Sequence, residues 1–228
     1  MAQSLAGASE MDEHRVKEVR NGRNHQTERL LRWKSRRATR GKIARIEPSF
    51  DEKSFRHSIN KAVNDLALKA RVDLIAQELK NHLLAGHHYP EALQILLQIL
   101  GPENPKETGM FTTGYWLMPV AKFVELYGLE HYDISMQAIY EITKRHTGEY
   151  AVRPYIEHAP RPSVRRMKKW ARDANVHVRR LASEGLRPRL PWAKKLDAFI
   201  ADPQPVVEVL ELLKADPSNF VKNPWPTT

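Results

Sequence analysis

The run His177-Val-Arg-Arg-Leu-Ala-Ser-Glu-Gly-Leu-Arg-Pro-Arg-Leu-Pro-Trp192 carries two helical faces at once. Val178, Leu181, Ala182 and Gly185 fall at i, i+3, i+4 and i+7, the spacing of one buried stripe. Arg180, Glu184 and Arg187 fall at i, i+4 and i+7 on another face. Pro188 ends the helix, because proline removes a backbone donor and biases Arg187 away from helical angles. Leu190, Pro191 and Trp192 follow on a stiff connector. The result is a small basic face with one carboxylate in it and an aromatic plane beside it. Spacing alone reads equally well as a solvated face with an internal Arg–Glu pair.

Outward from this run the pattern stays helical. Ser49 or Asp51 can cap a helix to about Leu66. Val72, Ile75, Ala76, Leu79 and Leu83 make the next stripe. Pro90 opens another with Leu93, Leu96, Leu97 and Leu100, widened by Ile95 and Ile99. Trp116, Val120, Phe123, Val124 and Tyr127 follow, closed by Gly128. Further helices are expected at 132–146, 148–157, 162–173, 176–187, 192–201 and 204–214. No useful stretch alternates with period two, so the fold class is all-α. One internal repeat points to a solenoid: Asp173-Ala-Asn-Val-His-Val178-Arg matches Asp216-Pro-Ser-Asn-Phe-Val221-Lys at a distance of 43 residues, within the period of HEAT and armadillo units. In such units the aspartate caps the second helix and the valine starts its buried face. Residues 1–46 are poor in apolar side chains and read as a basic, flexible arm. Residues 47–228 form the helical-repeat domain. Leu30, Leu31 and Trp33 make at most one amphipathic turn in the arm.

The 228-residue chain has a net charge of +10 that is not evenly spread. Residues 15–45 hold twelve Lys/Arg against two acids, and residues 161–192 hold ten against two, leaving the remainder at −8. Two basic blocks on an otherwise acidic chain point to a polyanion, nucleic acid before an anionic membrane. Arg165, Arg166, Lys168 and Lys169, beside Arg179 and Arg180, are candidate phosphate contacts, with Arg187 at the end of the same face. There is no cysteine, which excludes disulfides, a thiolate nucleophile and Cys-zinc sites. No apolar run is long enough to span a membrane, and no apolar signal core opens the chain, so a cytoplasmic protein is expected. His87 and His88 are adjacent, which no helix turns toward one metal. His146 and His177 are isolated and read as capping or surface groups, and Trp116 at stripe spacing reads as core.

A second stretch is Glu141-Ile-Thr-Lys-Arg-His-Thr-Gly-Glu149-Tyr-Ala-Val-Arg153-Pro154. Thr147 can cap a new helix, which places Glu149 in its first turn, where the helix dipole favours a carboxylate. That accounts for Glu149 without any function.

The two stretches together resemble the AlkC-type DNA alkylation repair glycosylases, built on HEAT-like helical repeats, and the resemblance runs from about Pro48 to about Val221. The run 177–192 matches that family's most specific motif. Thr147-Gly-Glu149-Tyr150-Ala-x-Arg153-Pro154 looks like its Thr-x-Glu-Phe-Ala-x-Arg-Pro segment, with Tyr150 in place of phenylalanine and Gly148 at the variable position. The resemblance implies a catalytic carboxylate at Glu149 and a base and DNA pocket at Arg180, Glu184, Trp192 and Arg153. It implies a duplex-DNA partner bearing 3-methyladenine or 3-methylcytosine, damaged bases left in the stack, and no metal or organic cofactor. It also implies work at the nucleoid, with no membrane and no obligate protein partner. Two other readings fit the residues: a non-catalytic DNA-binding scaffold, in which the carboxylates only cap and pair, and a protein-binding helical repeat.

The end of the chain departs from the pattern. After Val221 the second repeat copy should continue as a helix, but the sequence is Lys222-Asn-Pro224-Trp-Pro226-Thr-Thr228, and two prolines forbid one. Codons AAA-AAT-CCG-TGG-CCA-ACC-ACC would encode it. One added A gives Lys-Lys-Ser-Val-Ala-Asn-His, which resembles the family's continuation toward a further active-site aspartate. The expectation is a frameshifted, C-terminally truncated chain with an incomplete last repeat, whose 192–214 pair exposes an apolar face.

Overall fold

The computed structural model describes residues 36–63, 66–108 and 113–222. Twelve α-helices follow one another among them: α1 Arg36–Ile46, α2 Glu52–Ala62, α3 Leu68–Leu83, α4 Tyr89–Gln98, α5 Met118–Tyr127, α6 Tyr132–Thr143, α7 Arg153–His158, α8 Pro160–Trp170, α9 Val176–Glu184, α10 Asp197–Ala201, α11 Gln204–Leu213 and α12 Asn219–Lys222. Short 3₁₀ turns at Thr113–Leu117 and Leu129–His131 lead into α5 and α6. The described residues contain no strand, and none of their helices is long and apolar enough to cross a membrane.

The caps and stripes explain the elements. Asp51 accepts the Ser54 N–H at 2.9 Å and starts α2. Glu91 accepts the His88 N–H at 2.8 Å, and Pro90 sits in the first turn of α4, where a missing N–H costs nothing. The expected stripes Ile75–Leu83, Leu93–Leu100, Val120–Val124 and Val178–Ala182 face one continuous core that runs from Ile43 to Val221, while Val72 turns to a groove. Packing is mostly between helices near in sequence: α2 on α3, α3 on α5, α5 on α6, α8 on α9 and α11, and α9 on α12. That near-neighbour order is the mark of a helical repeat array.

The 43-residue repeat recurs in the bonding. Asp173 accepts the Asn175 N–H, and Asp216 accepts the Ser218 N–H, each at 2.8 Å. Asn175 then caps His177 N–H at 3.0 Å, and Ser218 caps Phe220 N–H at 3.1 Å. The aspartates therefore shape the turn, and the residue two positions on, not the aspartate, caps the helix. His177 and Phe220, equivalent in the two copies, pack edge to face at 5.5 Å. Val178 and Val221 are both buried.

Three expectations differ from the structure. Arg36–Ile46 is helical and Ile43 is fully buried, so the packed array starts inside the segment read as an arm; residues 1–35 lie outside the described residues. Residues 149–152 form a turn, and α7 starts only at Arg153, because Pro154 in its first turn fixes where the helix can begin. Residues 188–196 form a loop before α10, because Trp192 has φ 61°, which no helix tolerates. On the last pair, Ile200, Val207, Leu210 and Leu212 are exposed by 36–42%. The chain beyond Lys222, on which the frameshift reading rests, lies outside the described residues.

Candidate active site

Glu149 is held by what precedes it. A side chain at Gly148 would collide with Thr143 Oγ1 at 2.6 Å and Ile139 at 2.7 Å. Glycine at that position is therefore what lets the turn lie against α6, and it is not a neutral choice. Thr147 Oγ1 accepts the Glu149 N–H at 3.4 Å. Glu149 is 7% exposed. Burial pushes its carboxyl above the ordinary glutamate range, opposed by Arg180 and reinforced by Glu184. Arg180 Nη1 lies 3.7 Å from the carboxylate, an ion pair too long for a hydrogen bond. The Glu149 side chain accepts no hydrogen bond from the described residues. Glu149 lies in the turn that leads into α7, where the Val152 N–H reaches the Gly148 carbonyl at 3.0 Å, so the N-terminal end of that helix still favours its charge.

Arg180 and Glu184 both come from α9, on the turn where the sequence spacing put them. Arg180 stacks its guanidinium over Phe220 of α12 at 4.7 Å. Glu184 is 4% exposed and accepts from Arg187 Nη1 at 3.0 Å. The two buried carboxylates thus differ: Glu184 is tied by a hydrogen bond, and Glu149 is neutralised only at a distance. Arg187 is consequently engaged inside the site as well as at its edge.

Trp192 sits 77% exposed at the rim of a groove of about 370 Å³ whose walls include Val72, Met118, Ala121 and Tyr150. Glu149 does not line this groove; its neighbour Tyr150 does. The Tyr150 hydroxyl, pushed up to about 12 chiefly by burial, with Glu149 and Glu184 adding to it, stays protonated and donates to the Pro191 carbonyl at 3.3 Å. Tyr150 therefore ties the Glu149 turn to the Trp192 loop.

Arg153 is held mainly by main chain. It is 4% exposed. Its Nε donates to the Lys194 carbonyl at 2.9 Å, its Nη1 to the Arg187 and Gly185 carbonyls at 2.9 and 3.5 Å, and its Nη2 also to Lys194. Main chain thus takes four of its five N–H groups, and the residue also lines the groove beside Trp192. His177 is likewise buried, not at the surface, with its ring nitrogen 3.2 Å from the Asn104 carbonyl.

The expected phosphate contacts on α8 and α9 divide. Arg165 and Lys169 are exposed on α8 and make no ion pair among the described residues. Arg166 pairs with Asp133 at 2.6 Å and Lys168 with Glu208 at 2.5 Å. Arg179 binds Asp216 through Nε at 2.6 Å and Nη2 at 3.2 Å, joining the two repeat copies. The sequence pointed to neither Asp216 nor Phe220 as part of the site, although both lie in the second copy of the repeat.

The chain is similar to an alkylpurine DNA glycosylase. The structure of Pseudomonas fluorescens alkylpurine DNA glycosylase AlkC, bound to DNA containing an abasic site analog, superposes with a TM-score of 0.74 at 28% identity over 86% of this chain and 52% of that one. The "Uncharacterized protein YhaZ" of Bacillus subtilis (strain 168) is 37% identical over 158 residues, 69% of this chain and 41% of that protein. The chain thus spans about half the length of the proteins it matches. No family model matches it.

Proposed function

We propose that this chain is the lesion-engaging part of a DNA repair glycosylase that hydrolyses the N-glycosidic bond of cationic N3-alkylated bases, 3-methyladenine and 3-methylcytosine, in duplex DNA. The observation that carries the reading is Glu149: a nearly buried carboxylate with no hydrogen bond from the described residues, facing Arg180, in a fold similar to an alkylpurine DNA glycosylase. A carboxylate whose oxygens accept from no described residue keeps its lone pairs available to a substrate cation.

The chemistry needs little acid. A base alkylated at N3 is already a cation, so its bond to C1′ breaks with the electron pair going to the base, which leaves neutral. The sugar becomes an oxocarbenium ion; water adds at C1′ and loses a proton. A carboxylate about 4 Å from that charge stabilises it by roughly 4 kcal/mol at an effective dielectric of about 20, close to a thousandfold in rate. Glu149 fills that role. Arg180, stacked on Phe220, sets its distance. Trp192 offers a ring face to the cationic base, worth about 0.5–2 kcal/mol. In this reading the base stays in the stack and the protein approaches from outside. Arg165 and Lys169 meet the phosphates, and the protein works at the nucleoid.

The test offers two duplexes, one methylated at adenine N3 and one carrying hypoxanthine, a neutral base. Release of 3-methyladenine without release of hypoxanthine is expected. Equal release of both, or release of neither, contradicts the proposal.

A further inference from the structure

Among the described residues, Trp192 is the one non-glycine position with positive φ. An aromatic residue held there is strained, and such strain persists only where the surroundings over-determine it. Side chains from three segments do so. Arg153, at the start of α7, grips the carbonyls of Gly185 and Arg187 before the tryptophan and of Lys194 after it. Tyr150 holds the Pro191 carbonyl. Lys69, from α3, donates to the carbonyl of Trp192 itself at 3.1 Å. Gly185 permits the arrangement, because a Cβ there would meet the Leu181 carbonyl at 2.9 Å and Val152, the residue before Arg153, at 3.0 Å. The ring that all these bonds aim touches solvent over most of its surface. So much main-chain fastening around an exposed side chain is not required by the core.

We infer that Arg153 is a positioning residue: it closes the loop 185–194 into one rigid shape and thereby fixes the ring plane of Trp192, without contacting base or phosphate. Only a planar fork of donors can hold carbonyls on both sides of the loop; a lysine supplies one point of charge on a flexible stem. The use of the ring for a cationic base rests on the glycosylase reading, but the clamp does not.

The experiment uses Arg153→Lys and Trp192→Phe, singly and together, in protein labelled with fluorotryptophan. The fluorine resonance lost in Trp192→Phe belongs to Trp192. Arg153→Lys should shift or broaden that resonance and leave those of the core tryptophans in place. It should lower single-turnover release of 3-methyladenine about tenfold, with DNA affinity held within about threefold. In the Trp192→Phe background the same substitution should cost less than about twofold, because the two act through one ring. Lys69→Met, on the exposed side of the clamp, should move the resonance in the same direction by less, and serves if Arg153→Lys does not fold. A Trp192 resonance indifferent to both substitutions overturns the clamp. Additive losses in the double variant overturn it too, since Arg153 would then act on DNA itself. A resonance that moves while the parent chain releases no methylated base leaves the clamp standing and removes the glycosylase reading instead.

Discussion

Replacing Asp216 by alanine removes the carboxylate that joins the two copies of the 43-residue repeat. Asp216 is 6% exposed and receives two bonds from Arg179 and one from the Ser218 N–H. Breaking a buried pair by deleting one partner costs about 3–5 kcal/mol, because the other charge stays behind. The loss here is smaller, since Arg179 keeps the Asp173 and Ala174 carbonyls, each at 3.0 Å, and its side chain is 15% exposed. About 2–3 kcal/mol is expected, which at roughly 2–4 °C per kcal/mol for a chain of this size lowers Tm by about 5–10 °C. Asp216→Asn keeps an acceptor for Ser218 and should lose about 1–2 kcal/mol. The pair also sets an acid limb. Burial alone would raise the Asp216 carboxyl, but Arg179 and the Ser218 N–H outweigh it and hold it below the usual aspartate range. Its stabilisation is therefore complete above the unfolded value of about 3.9 and is lost as pH falls below it. Circular dichroism melts from pH 7 to pH 3 measure both effects. A Tm for Asp216→Ala within 2 °C of the parent, or an acid limb that Asp216→Asn leaves unchanged, would refute the reasoning.

Three further outcomes are expected. Duplex affinity should fall with salt at a log–log slope of about −4 to −7, and Arg165→Ala with Lys169→Ala should flatten it by about two. Arg166→Ala should change the slope least, because Asp133 already neutralises it; a parent slope near zero removes DNA as partner. Base release should rise with pH through a single group titrating above the ordinary glutamate range, because burial raises the Glu149 carboxyl and only its ionised form stabilises the oxocarbenium ion. That limb should disappear in Glu149→Gln.

The helical stripes were legible because burial leaves a 3.6-residue period wherever a helix faces one core, and those of α3, α4, α5 and α9 face it as spaced. What escaped the sequence reading has physical causes. The basic residues of α1 dilute its apolar content, so Ile43, Ala44 and Ile46, which meet the core, gave no period. The turn at Glu149 was read as helix because Thr147 caps convincingly, while the packing that makes Gly148 necessary comes from α6. The partners that neutralise Arg166, Lys168 and Arg179 lie 33 to 40 residues away in sequence, so counting charges in a block overstated the free surface. Arg153 and Trp192 were placed at the site by motif, but the carbonyls that Arg153 binds are invisible to side-chain pattern.

The most direct test of the account is single-turnover release of 3-methyladenine by Glu149→Gln, which removes the charge and keeps the shape. The account predicts a loss of at least about a hundredfold, with duplex affinity unchanged within a few fold. Release at the parent rate would contradict it, and Glu149 would then be no more than a buried partner of Arg180.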